Sequence, residues 1–388
     1  MKMKITSPHS ILEEVRQFID EEIRPYAADF EKQQALPREL IKKMGNKRYL
    51  AASFSEQYGG LQLHPLEYGS MVEEIGKGAL SAAMLLTVTT GLVGETLIRW
   101  GTEYQKEQYV LPIARGEKIG AFALTEPGVG SGAKDVQTSY EKVGDKYRIT
   151  GRKKWISFGE IADFFIVIAS DSSGNGISAF IVDCEQEGVR VQKIQGLLSC
   201  AASQLADIEL TNVEVGSERL IGKERMGFTG VANFALDQGR FNVAWMGVGL
   251  AQEALEVMVT YARKRTQSGE KIFNFQLIKG IIGDATTNVH AARSLCKEAA
   301  RMRADNHPDA IVQTTMAKYF SSVVANKVAS DAVQVLGANG CCNLYPVERL
   351  FREAKVLEII EGSSQIQQQI IAMHAANRHY QPKRVTGL

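Results

Sequence analysis

No block of like charge stands out in this 388-residue chain, whose 45 basic and 44 acidic residues leave a formal net charge of +1. That balance argues against the broad electrostatic footprint that nucleic acid or an anionic membrane requires, so a charged partner has to be met locally. Long apolar runs are missing too. The longest, roughly Ala82 to Val93, is broken by Thr87, Thr89, Thr90 and Gly91 and falls short of the ~20 residues a bilayer span needs. The opening Met1–Ser10 has no apolar core of a secretory signal. We therefore expect a cytoplasmic protein with no membrane insertion and no nucleic-acid partner. Cysteine is scarce and scattered: Cys184, Cys200, Cys296, Cys341 and Cys342 are odd in number, and the adjacent pair lacks metal-ligand spacing. Reduced thiols and no metal site are the expectation. A Walker loop, an HExxH pair and a GxSxG elbow are also absent from the sequence.

What is present is a change of period along the chain. With 45% hydrophobic residues, a chain this long divides into two or three packed units. Up to about residue 120 the spacing is helical. Ser10 and Glu13 have capping-box spacing, and Leu12, Val15, Ile19 and Ile23 then recur on one face until Pro25. From 121 to about 226 short β-rich runs such as Phe164–Ala169, Ile177–Val182 and Ile208–Val215 alternate with turn residues, and Asp171–Gly176 reads as a hairpin loop. From 227 to 388 helical periodicity returns in four long runs, the pattern of a bundle. The expected fold class is multidomain α+β: an N-terminal α-helical domain (1–120), a middle antiparallel β domain (121–226) and a C-terminal four-helix bundle (227–388).

Three stretches could carry chemistry. Gly128-Val-Gly-Ser-Gly132 fails as a dinucleotide fingerprint, because it runs on into β-rich sequence and opens no helix. Asp237 and Arg240 stand three apart on a helix, where a plain ion pair competes with a functional reading. Glu361 is a loop acid ahead of a helix that Ser363 or Ser364 would cap, and such a loop can also aim a base into a cavity.

Taken as phrases, these stretches resemble the acyl-CoA dehydrogenase family from about Leu12 to Ala376. Ala123-Leu-Thr-Glu-Pro-Gly-Val-Gly-Ser131 followed by Gly151-Arg-Lys-Lys-Trp-Ile-Ser157 resembles its flavin-binding signature. Gln334-Val-Leu-Gly-Ala-Asn-Gly340, Tyr345-Pro-Val-Glu348 and Ile359-Ile-Glu-Gly-Ser-Ser-Gln-Ile-Gln367 resemble its C-terminal signatures, while Asp237-Gln-Gly-Arg240 resembles its D-x-x-R and Arg265 to Gln276 its R-x-x-F-G...Q segment.

The resemblance implies an acyl-CoA dehydrogenase-like fold with FAD as cofactor. It implies Phe122, Leu124, Thr125, Trp155 and Ser157 around the flavin ring, Ser131 near a phosphate or the substrate's pantetheine arm, and Ser363 and Gln365 as further cofactor contacts. Arg265, Gln276, Gln334, Gly337 and Ala338 would reach the FAD of a neighbouring subunit, making a homodimer or homotetramer. Asp237, Arg240, Ser131 and Gly362 would serve the substrate. Glu361 would take the α proton while the β hydrogen leaves as hydride to flavin N5. Some relatives place the base at the position of Gly239, which cannot titrate here.

This sequence departs from the family pattern at Gly132, Ser268 and Ala338, and Ser199–Leu205 lacks a usual Arg. Such departures resemble relatives acting on acyl-carrier-protein substrates, so the thioester handle is either CoA or a carrier protein. Electrons would leave to an electron-transfer flavoprotein or another acceptor. The alternatives are a flavin oxidase or oxygenase on the same scaffold, and a non-catalytic flavoprotein.

Overall fold

The computed structural model describes residues 8–380. Helices fill the chain as far as Ala114. The first is already formed at Pro8 and runs to Phe18, so it starts ahead of the capping box expected at Ser10, whose side chain lies outside the described residues. The helix Pro65–Gly78 has a reciprocal cap: His64 Nδ1 accepts from Leu66 N (3.3 Å), and the Glu67 carboxylate accepts from His64 N (3.0 Å).

The broken apolar run becomes one continuous helix from Leu80 to Trp100, π-helical over Leu86–Gly94. By length and composition alone its 21 residues could cross a bilayer, but 89% of its most apolar window is buried inside the fold. The threonines that interrupt it serve the backbone, Thr87 Oγ1 donating to Ala83 O (3.0 Å) and Thr90 Oγ1 to Leu50 O (2.7 Å). That leaves Met84, Val88 and Leu92 to face the cleft described below. A π turn inside a helix frequently marks a functional site.

Seven strands form the middle sheet: β1 Gly120–Ala123, β2 Ser139–Val143, β3 Lys146–Ile156, β4 Phe164–Asp171, β5 Ile177–Asp183, β6 Val189–Lys193 and β7 Ala206–Gly216. Four of the six pairings are antiparallel, including the β4–β5 hairpin closed by Asp171–Gly176. The other two depart from the antiparallel expectation, β1 and then the start of β2 running parallel to β4 in tandem. Because both strands lie on β4, the chain between them (124–138) has to leave the sheet and return. That excursion forms one rim of the cleft.

Four long helices follow, Asn233–Lys264, Gln276–Ala304, Ala310–Leu336 and Ser364–His379, with an unexpected shorter one, Val347–Leu357, ahead of the last. One continuous apolar core links the helical and β parts, with Trp245 fully buried within it.

Candidate functional site

After the helix Val347–Leu357 the chain turns through Glu361 (φ +54) and Gly362 (φ +92) before Ser363 caps the next helix, its Oγ accepting from Ile366 N at 3.4 Å. A non-glycine residue in this left-handed region is uncommon and has to be held there. Three side chains hold it by its carbonyls. Arg240 Nε donates to Glu361 O (3.1 Å), Lys318 Nζ to Gly362 O (2.8 Å), and Gln367 Nε2 to both (3.1 and 3.0 Å).

The Glu361 side chain points toward Gly239, where a Cβ would come within 2.6 Å of Glu361 Oε2. Glycine at 239 therefore makes room for the carboxylate. Oε2 is buried and has no hydrogen-bond partner. Burial pushes the carboxyl up to about 7, against the opposing pull of Arg240 and Lys318. A buried, unpartnered carboxylate that titrates near neutrality is suited to proton transfer.

The carboxylate opens on a cleft of about 1040 Å³. Of the residues singled out from sequence, Phe122, Leu124, Thr125, Ser131, Trp155, Ser157, Arg240, Glu361, Gly362 and Ser363 line it, joined by the aliphatic wall of Met84, Val88, Leu92 and Leu236. The rim loop is clasped by a buried ion pair. Lys153 Nζ meets Glu126 Oε1 at 2.7 Å and donates to Leu124 O (3.0 Å), while Glu126 accepts from Gln137 N (2.7 Å) and Thr138 N (2.9 Å). For Glu126, burial raises the pKa most strongly, yet Lys153 and the two amides together outweigh it and hold the carboxyl low. Burial wins at Lys153, lowered to about 8. Three short donors on the one carboxylate favour its ionised form. Trp155 (φ +63), within the register shift of β3 against β7 between Lys153 and Ile156, turns its half-exposed indole toward the cleft.

Other singled-out residues lie elsewhere. Asp237 is buried but does not line the cleft; its Oδ2 meets Arg303 at 2.6 Å and its Oδ1 has no partner. The simple Asp237–Arg240 pair does not form, since the hydrogen bond from Arg240 goes to Glu361. Arg265 lines a second cavity of about 590 Å³ with Tyr261, Lys264 and Asn339. Gln276, Gln334, Gly337, Ala338 and Gln365 are exposed and line neither cavity. Among the described residues no cluster of three or more His, Cys, Asp or Glu side chains could hold a metal.

Sequence reading missed Lys318, Gln367, Arg303 and the aliphatic wall. Lys318 did leave a signal. It is a lone charge on a helix face otherwise made of Thr314, Ala317, Ser321, Ala325 and Val328, all of them buried.

Three family models match the chain: the acyl-CoA dehydrogenase N-terminal domain over residues 7–117, the middle domain over 121–213 and the C-terminal domain over 225–376. The 3-(aryl)acrylate reductase of Clostridium sporogenes is 36% identical over 374 residues, covering 95% of this chain and 99% of that protein. The butyryl-CoA dehydrogenase structure from Megasphaera elsdenii matches with a TM-score of 0.91 at 33% identity, covering 96% of this chain and 99% of that one. The prolyl acyl carrier protein oxidase AnaB matches with a TM-score of 0.90 at 26% identity, covering 95% and 98%.

Proposed function

The chain belongs to the acyl-CoA dehydrogenase family, and from that premise we propose that it dehydrogenates the Cα–Cβ bond of an acyl thioester, with FAD as cofactor and Glu361 as the base. The observation that carries this reading is the unpartnered Glu361 carboxylate, its Oε2 buried, facing a large cleft between an aliphatic wall and the rim loop.

The cleft fits a flavin. A Cβ at Gly128 or Gly130 would meet nothing within 4 Å, and the Trp155 indole is 49% exposed beside them. Phe122, Leu124, Thr125, Trp155 and Ser157 would hold the ring, with Ser131 and Ser363 as further contacts, while the exposed Gln365 stands outside this cleft. When bound, FAD accepts the β hydrogen with its two electrons. The protein's own residues do the rest. Glu361 removes the α proton, and the backbone N–H of Glu361 is assigned to the thioester carbonyl, where negative charge develops. The aliphatic wall keeps water from the carboxylate and orients the acyl chain. Arg240 and Gly362 shape the substrate side. The handle is CoA or an acyl carrier protein; the butyryl-CoA enzyme and AnaB represent the two cases. Electrons pass to an electron-transfer flavoprotein or an equivalent acceptor, and a low peroxide yield under turnover would separate this from an oxidase. We place the enzyme in the cytoplasm.

The relative named as a reductase favours one further reading, in which the same groups run in reverse and protonated Glu361 delivers its proton to Cα of an enoyl thioester. Anaerobic flavin bleaching by saturated acyl-CoAs and acyl-carrier-protein thioesters, set against reoxidation of the reduced enzyme by enoyl thioesters, decides the direction. Glu361→Gln is expected to keep its flavin and to bleach on the order of 10²–10⁴-fold more slowly. Bleaching at the wild-type rate in that variant would remove Glu361 as the base.

A further inference from the structure

Resting on Glu361 as the base, we propose that Lys318 is a positioning residue for it: the Lys318 ammonium holds the left-handed Glu361–Gly362 turn by the Gly362 carbonyl and sets a fixed positive charge behind the carboxylate.

Lys318 is fully buried in the helix Ala310–Leu336, and its ammonium makes one hydrogen bond among the described residues, to Gly362 O at 2.8 Å. An ammonium has three N–H donors, and burying one without a carboxylate partner is costly. The fold nevertheless keeps it there. The carboxylates that act on it are Glu361 and Glu358. Glu358 is already engaged, Oε1 accepting from Asn326 Nδ2 (2.8 Å) and Oε2 from Lys355 Nζ (2.8 Å). Arg240 approaches the same turn from the helix Asn233–Lys264, and the carboxylates acting on it are Glu361 and Asp237. Asp237 is bound to Arg303. Among the described residues, the buried Lys318 and the half-buried Arg240 therefore share one free carboxylate, Glu361.

This arrangement does two jobs. The carbonyls of Glu361 and Gly362 are both tied by side chains, so the turn cannot relax out of its left-handed conformation without breaking the bonds from Arg240, Lys318 and Gln367 together. The pair of charges opposes burial, which is the largest influence on Glu361 and favours its protonated form. Arg240 is tied to the turn by its Nε, while Lys318 comes from another helix and reaches the next carbonyl, so neither cation substitutes for the other. Burial lowers Lys318 itself to about 8, with Glu361 and Glu358 opposing and Arg240 reinforcing the shift. The charge is thus present in the range where Glu361 ionises.

The test compares Lys318→Met, Lys318→Arg and Lys318→Gln as flavin-loaded enzymes. The pH dependence of single-turnover flavin bleaching is one readout. The second is infrared difference titration of the Glu361 carboxyl without substrate, assigned against Glu361→Gln. For Lys318→Met we expect flavin retained, KM within about threefold, a maximal rate down about tenfold, and both the acid limb and the carboxyl titration moved up by about one pH unit. Lys318→Arg should hold the limb near its wild-type position. An unmoved limb and an unmoved carboxyl titration in Lys318→Met would show that Lys318 only packs, whatever the rate. If the Met variant fails to fold, Lys318→Gln, which keeps a donor for Gly362 O without the charge, gives the same two-way answer. Wild-type bleaching in Glu361→Gln would remove the base assignment instead, while the infrared titration would still report whether Lys318 governs Glu361.

Discussion

At Glu361 the chemistry and the stability of the fold pull in opposite directions. Its carboxyl titrates at about 7 in the folded chain against an ordinary value of 4.5. Between those two values the unfolded chain releases a proton that the folded chain keeps, so the unfolded state binds fewer protons and stability falls as pH rises through the window. Above it, the accumulated loss is on the order of 3 kcal/mol. Glutamine has the shape of the protonated acid. Glu361→Gln should therefore match the wild type in urea melts near about pH 4 and exceed it by about 2–3 kcal/mol above about pH 8. A gain of the same size at both values would mean that shape, and not the burial of charge, sets the cost. Gly239 belongs to the same residue-scale economy, since any side chain there would occupy the space of the carboxylate.

At the scale of elements, the rim loop depends on the Glu126–Lys153 clasp joining it to β3. Glu126→Gln leaves a fully buried ammonium without its carboxylate, so we expect a loss of about 3–5 kcal/mol and weaker flavin retention. Adding Lys153→Met should recover most of the stability. A loss below about 1 kcal/mol in chemical denaturation would show that the loop is held by its backbone bonds alone. The clasp also shows where sequence reading stops. Local signals were legible: the β4–β5 hairpin from its Asp, Gly and Asn residues, the four long helices from their period, and the Ser363 cap from its place before a helical run. Long-range signals were not. The parallel pairing of β1 and β2 with β4 depends on where a distant edge lies. Arg303 reaches Asp237 across 66 positions and Lys318 reaches Gly362 across 44, distances that no local period encodes. The π-helical stretch was hidden because its threonines read as interruptions, whereas they bond to carbonyls and let the apolar face continue.

At the scale of the whole molecule, one chain leaves part of the expected flavin site outside its cleft. Arg265, Gln276, Gln334, Gly337 and Ala338 are exposed and lie outside the main cleft, although the phrases that contain them resemble FAD-binding signatures of the family. Close by in sequence, the helix Gln276–Ala304 has no buried residue before Ala285, and Leu277 is 84% exposed. Leu344, after the Gly337–Cys341 turn, is 77% exposed. We propose that Leu277 and Leu344 are covered by a second copy of this chain, whose FAD would meet Arg265. We expect light scattering to show a homodimer or homotetramer carrying one FAD per chain. Leu277→Asp should yield a folded monomer, unchanged in far-UV circular dichroism, that has lost its flavin. Arg265→Ala should keep the assembly and weaken FAD binding about tenfold or more, because a charged hydrogen bond to phosphate is lost. If a monomer retained stoichiometric FAD and full bleaching activity, the exposed arginine and glutamines would have no part in the site, and the 1040 Å³ cleft of a single chain would have to hold the cofactor unaided.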